Sequence, residues 1–201
     1  MVIFNALTIY ANTNDNITTT YHKGVFHTNK HIVANADFNK CSLIIDSLLH
    51  DFQTDPKHLF TWALKNTGQT HRKDGSDDVV MLINRMTYDP DSAKSILNVD
   101  FVTSGGITFR NKNLLSYVHD TEDKGRRLIT VDFYYSGSLL KKAYGEFILQ
   151  ELNPQQTYID ISIDIQFGWF FNLFVTQRRY RSVFEWRIGQ FIENLKEYCE
   201  M

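Results

Sequence analysis

One stretch of the chain constrains the fold more than any other. Residues 157–167, TYIDISIDIQF, carry Ile159, Ile161, Ile163 and Ile165 at every second position, with Asp160, Ser162 and Asp164 between them. Side chains alternate across a β-strand, so this segment has one apolar face and one wet face. After Gly168 the period changes. Phe184, Ile188, Phe191, Leu195 and Tyr198 recur at steps of four, three, four and three, the spacing of one helix face. A half-buried strand that runs straight into an amphipathic helix calls for a core between a sheet and that helix. The stripe predicts a helix over 168–199, about 48 Å long at 1.5 Å per residue if unbroken, so a kink or an irregular first part is expected. Gly189 inside the stripe costs about 1 kcal/mol relative to Ala, which predicts a close neighbour there, with the sheet as the expected one.

The rest of the chain supplies that sheet. Residues 17–35 read as one extended segment, in which Phe26, Thr28, Lys30 and Ile32 alternate with Val25, His27, Asn29 and His31. Asp37 stands where an N-cap belongs, and Phe38, Cys41, Ile44, Ile45, Leu48 and Leu49 mark a helix over 38–50. Asp55-Pro56 opens a second short helix with Leu59, Trp62 and Ala63 as its buried stripe and Gly68 as its stop. A polar loop follows at 66–78. From there the period is two. Strands are expected at 79–88, 96–103, 107–119, 127–135, 139–151 and 157–167. They are divided by turn signals at 89–91, Gly105-Gly106, 120–125, Gly137 and Asn153-Pro154. The order is strand, two short helices, six strands, long helix: an α+β chain with a seven-stranded antiparallel sheet. No linker or repeat divides the 201 residues, so a single domain over 1–201 is expected, with 1–16 as an extra strand or arm. At 43% hydrophobic and 22% charged residues, a globular chain is expected rather than one disordered by low hydrophobicity and high charge.

Location and partners are bounded next. The net charge of −2 provides no global positive field for nucleic acid. Cys41 and Cys199 match no zinc or redox spacing, which points to a reducing compartment. The N-terminal MVIFNALTIYANT lacks a basic n-region, so no signal peptide is expected. The densest apolar run, 167–175, is far short of the roughly 20 residues that span a bilayer. The expected location is the cytoplasm, with no membrane span.

Few residues suggest chemistry. His27 and His31 share a strand face but lie roughly 13 Å apart, too far for one metal ion. Asp160 and Asp164 fail similarly, since paired carboxylates work at about 5–10 Å. Arg178, Arg179, Arg181 and Arg187 cluster on the last helix with Tyr180 and Trp186, yet they spread around it, and Glu185 and Glu193 are placed to pair with some of them. A solvated helix face is the plainer account than a nucleic-acid surface. No Gly-rich phosphate loop, GxSxG, HExxH or CxxC pair occurs. Neither a catalytic residue, nor a metal, nor a cofactor is assigned.

The Ile strand YIDISIDIQF feeding WFFNLFVTQRRYRSVFEWRIGQFIENLKEYCEM, with FHTNKHIVANADFNKCSLIIDSLL as a first strand and helix, resembles the START-like superfamily, also called SRPBCC, Bet v 1-like or helix-grip. The likeness covers most of 20–199 and is architectural. It implies a sheet curved around the long C-terminal helix, and a cavity between them that holds a hydrophobic small molecule or lipid. The inward-facing candidates for its wall are Phe101, Val131, Phe133, Tyr135, Ile161 and Ile163 from the sheet. Trp169, Phe170 and Phe174 are the candidates from the helix side. Leu97, Val99, Ile129 and Phe184 share those faces. Tyr135 is the polar handle among them. The same residues would equally pack a filled core. Three functions therefore stand open: ligand binding without assigned catalysis, a protein-interaction module with a filled core that forms a homodimer through an exposed sheet edge or the N-terminal arm, and an enzyme on an apolar or polyketide-like substrate.

Overall fold

The computed structural model of the chain describes residues 17–55, 79–103, 108–134, 140–173 and 175–201, with side chains throughout except at 79–83, 101–103 and 183. The expected second helix, the Gly105-Gly106 and Gly137 turns and the 1–16 arm lie outside the described residues. Eight strands form one antiparallel sheet: β1 (Thr18–His22), β2 (Val25–Ala34), β3 (Val79–Asp89), β4 (Lys94–Thr103), β5 (Thr108–Asp123), β6 (Arg126–Tyr134), β7 (Leu140–Asn153) and β8 (Gln156–Phe167). Their order across the sheet is β1-β2-β8-β7-β6-β5-β4-β3. Strands β3 to β8 meander, and the β1–β2 hairpin docks onto the last of them, with Phe26 opposite Ile165 and Ile32 opposite Ile159.

The count is eight rather than seven because 17–35 is not one segment. Lys23 and Gly24 both adopt positive φ, 48° and 84°, the conformation of a two-residue hairpin turn. Lys124 and Gly125 repeat it at 47° and 74°. The turn expected over 120–125 is therefore confined to two residues, and β5 runs on to Asp123.

Helix α1 (Phe38–Thr54) opens as expected, with the Asp37 carboxylate accepting from the Lys40 N–H at 2.9 Å. It runs four residues beyond the expected end. The C-terminal helical region is broken, also as expected. Helix α2 (Trp169–Asn172) follows Gly168 directly. Thr176 then caps α3 (Gln177–Tyr180), a π-helical stretch covers Arg181–Glu185, and α4 (Trp186–Glu200) completes the rod.

Sheet and helices share two dry clusters on one face of the curved sheet. In the first, Ile192, Leu195 and Cys199 of α4 meet Ile32, Ile129, Leu149, Ile159 and Ile161 of the sheet, with Cys41 and Ile45 of α1. In the second, Phe26, Leu97, Val99, Leu114 and Phe167 surround Tyr180 and Phe171, with Phe52 of α1. What approaches Gly189 is not the sheet but Ile17, whose Cδ1 lies 3.8 Å from the place of a Cβ. Among the described residues no helix is long and apolar enough to cross a membrane.

Candidate functional site

The two clusters share no buried residue and are joined through partly buried ones, Val118 packing against both. Along the helix-facing side of β8, Ile159 is 0% and Ile161 3% exposed; Ile163 and Ile165 are partly exposed; Phe167 is buried again. The neighbouring strands repeat the dip at the same level. On β6, Ile129 is buried while Val131 and Phe133 are partly exposed. Between β6 and β8 runs β7, where Gly145 pairs with both Val131 and Ile163, and Ala143 with both Phe133 and Ile165. The smallest side chains of the face thus stand at its middle. A Cβ built on Gly145 would touch only the Val131 carbonyl oxygen, at 3.9 Å. Opposite, Phe184, Ile188 and Phe191 of the helical rod are also only partly buried. Glycine inside a strand weakens it and often marks a close approach. Among the described residues only that carbonyl oxygen comes within 4 Å of the Cβ position.

Polar groups gather on one side of this space. Thr28 and Lys30 of β2 lie on the helix-facing side, opposite Ile163 and Ile161. Lys30 donates to the Glu193 carboxylate on α4. Thr28 Oγ1 shares hydrogen bonds with the Tyr180 hydroxyl at 2.9 Å and with Thr19 Oγ1 at 3.1 Å. The Tyr180 ring is stacked on Phe26 at 4.0 Å and on Phe184 at 5.2 Å. Burial pushes its hydroxyl pKa up to about 12, so it stays a neutral hydroxyl. The opposite side is mostly hydrocarbon, from Val118, Val131 and Phe133. Such an arrangement can hold an apolar body and hydrogen-bond one edge of it. Ser116 Oγ on β5, opposite Phe133 on the same face of the sheet, is fully buried and has no hydrogen-bond partner among the described residues.

Of the residues expected at the wall, Val131, Phe133 and Ile163 are partly exposed at this level of the sheet and Ile161 is buried beside them. Phe52 of α1 meets Phe133 edge-on at 6.3 Å. Phe170 is partly buried against Phe109, 5.2 Å between ring centres. Trp169 is a correction. It is 69% exposed, because the single turn of α2 directs Phe171 inward and leaves Trp169 and Leu173 outside. The Phe101 backbone pairs with Met81 and Phe109, while its side chain, Tyr135 and Phe174 lie outside the described residues.

The remaining candidates sit elsewhere. His27 Nδ1 meets Asp164 at 2.6 Å, and Asn29 donates to Asp160 at 2.8 Å, both on the face turned away from the helix. Arg181 approaches Glu185 at 4.0 Å and donates to the Thr19 carbonyl. Glu193, expected beside an arginine, pairs with Lys30 instead. Cys41 and Cys199, remote in sequence, are both fully buried in the first cluster. Their thiols share a hydrogen bond that lowers the Cys41 pKa and, with burial, raises that of Cys199. Among the described residues no His, Cys, Asp and Glu gather as a metal site. A separate polar groove of about 630 Å³ lies outside the sheet, between the β2–α1 connection and the β7–β8 turn.

Two features at this level went unassigned in the sequence although each left a signal: a lysine between Thr28 and Ile32 on the inward face of a strand (Lys30), and a glycine in the middle of a strand (Gly145).

No family model matches the chain, and no curated protein matches it. Solved structures do. The Zhui aromatase/cyclase from Streptomyces sp. R1128 aligns over 87% of this chain and 93% of its own, with 10% identity and a TM-score of 0.52. A truncated norcoclaurine synthase from Thalictrum flavum covers 90% and 95% at 9% identity and 0.47. A START superfamily protein from Mycobacterium smegmatis covers 85% and 94% at 12% and 0.44. The chain has a distant structural resemblance to START/SRPBCC/Bet v 1-like helix-grip proteins, and at these identities the likeness is one of fold.

Proposed function

We propose that the chain binds a hydrophobic small molecule or lipid between the sheet and the C-terminal helix. The observation that carries this reading is the interruption of burial around Gly145. Val131, Phe133, Ile163 and Ile165 face the helix from the middle of the sheet, yet stay partly exposed between two dry clusters. Apolar surface left open inside a fold is costly, at about 25 cal/mol per Å², and a ligand of matching polarity recovers that energy. Thr28, Lys30 and Tyr180 give the space one hydrogen-bonding edge, which favours an occupant with a polar group at one side. The fold shared with an aromatase/cyclase fits an interior of this kind; catalysis is not assigned.

The test fills the space. Gly145→Leu places an isobutyl group where only Val131 O lies near. The wild-type chain is expected to bind an environment-sensitive apolar dye such as 1-anilinonaphthalene-8-sulfonate with saturable stoichiometry, and Gly145→Leu to lose at least tenfold in affinity while keeping its circular dichroism. Equal dye affinity in the two folded proteins would place the apolar site elsewhere and end this reading.

A further inference from the structure

Where β8 leaves the sheet, the surface changes character. Trp169 and Leu173 are 69% and 68% exposed, side by side on α2 and its C-cap. Tyr21 of β1, also exposed, stands at the same end of the sheet, because the Lys23–Gly24 turn lies beside Gln166 near the close of β8. Cations lie at the same end. Lys23 is in that turn, and Lys141 and Lys142 open β7, where Lys142 pairs with Gln166. Arg178 and Arg179 are exposed on α3, the short helix that follows α2. Two of the carboxylates near this end are paired, Asp164 with His27 and Glu185 with Arg181, and Asp132 stands on β6 opposite Tyr144. A chain with net charge −2 thus gathers five cations at the end of the sheet that carries the exposed Trp169.

We infer that this end docks onto an anionic lipid surface. An indole and a leucine side chain enter the headgroup–acyl boundary, while lysines and arginines meet the phosphates. Each cation near an anionic leaflet adds to the attraction, and neither the apolar nor the basic part suffices alone. Nucleic acid fits less well. It would use the cations and an aromatic ring, but it gives Leu173 nothing to bury against. The inference goes beyond the ligand reading and does not depend on it, since it concerns the outer surface only.

The experiment is co-sedimentation of the full chain with phosphatidylcholine vesicles, with and without phosphatidylserine. Binding is expected only to the anionic vesicles and is expected to fall steeply with added salt. Arg178→Glu with Arg179→Glu is expected to weaken it by about tenfold or more, and Trp169→Ala with Leu173→Ala by a similar factor. All four side chains are exposed, so the variants are checked for an unchanged unfolding midpoint. If a variant does not fold, the wild-type comparison of neutral with anionic vesicles decides alone. Equal binding to both vesicle types, binding that the folded variants leave unchanged, or retention of a single-stranded RNA oligonucleotide in place of vesicles would each overturn the inference.

Discussion

Lys30 on β2 and Glu193 on α4 form an ion pair whose halves sit in different media: the lysine side chain is 7% exposed and the glutamate 45%. Removing one charge therefore differs from removing the other. Glu193→Leu strands a buried ammonium and is expected to cost about 3 kcal/mol. Lys30→Met leaves a carboxylate that water already reaches, and is expected to stay within about 1 kcal/mol of wild type. Urea unfolding of the two variants measures both values. A Lys30→Met cost equal to or above that of Glu193→Leu would show that the ammonium is not desolvated.

Tyr180 makes stability depend on alkaline pH. Its hydroxyl ionises at about 12 in the folded chain, against 10.0 for a free tyrosine, chiefly because it is buried. The folded state therefore holds a proton that the unfolded chain releases earlier. This contribution is whole below about pH 10 and is lost as pH rises through about 12. Tyr180→Phe keeps the stacking on Phe26 and Phe184 and gives up the bond to Thr28, for about 1 kcal/mol at neutral pH. Thermal unfolding between pH 9 and 12 should fall less steeply in Tyr180→Phe than in wild type; parallel curves would refute the assignment.

Arg127 ties α1 to the sheet. Its Nε and Nη2 grip both oxygens of Asp120, at 3.0 and 2.5 Å. Nη2 also reaches Asp46 at 2.6 Å, and Nη1 reaches the Ser42 carbonyl and hydroxyl at 3.0 and 2.7 Å. These carboxylates hold its pKa above the ordinary arginine value, against the effect of burial. A lysine cannot reproduce the fork. Arg127→Lys is expected to lose about 2 kcal/mol and to speed amide exchange along α1 more than along β8. Uniform exchange changes would deny the local anchoring.

Gly189→Ala should stabilise the chain by up to about 1 kcal/mol. The new methyl meets Ile17 Cδ1 at ordinary contact distance, and the helix gains propensity. A lower melting temperature would mean that the space beside Ile17 is needed as it is.

How far these features could be read in advance depended on whether one residue type carried one meaning. The Ile159–Ile165 alternation and the Asp37 cap were legible, because each has a local cause. The Lys23–Gly24 turn was hidden. Its first residue is Lys where such turns favour Asn or Asp, and Thr, Tyr and Val on both sides kept the strand pattern running through it. Trp169 was misplaced because an apolar residue next to a buried strand looks buried, and one turn of helix decides its direction. Glu193 lies in helical reach of arginines, but its partner is a lysine 163 residues away, which spacing alone does not reveal. Whether the interior is open turns on Gly145 and its register with Val131 and Ile163, and register across strands is a tertiary fact.

The pairing of β2 with β8 has a kinetic side. His27 and Asp164 are 137 residues apart, yet they are direct neighbours in the sheet. The β1–β2 hairpin must wait for a strand made more than a hundred residues later, while β3 to β7 zip up through short connections. Closing so long a loop is slow, and the waiting edge is exposed. The β2–β8 seam is thus the clasp of the fold, fastened late and opposed from the helix side only once α4 emerges to cover it.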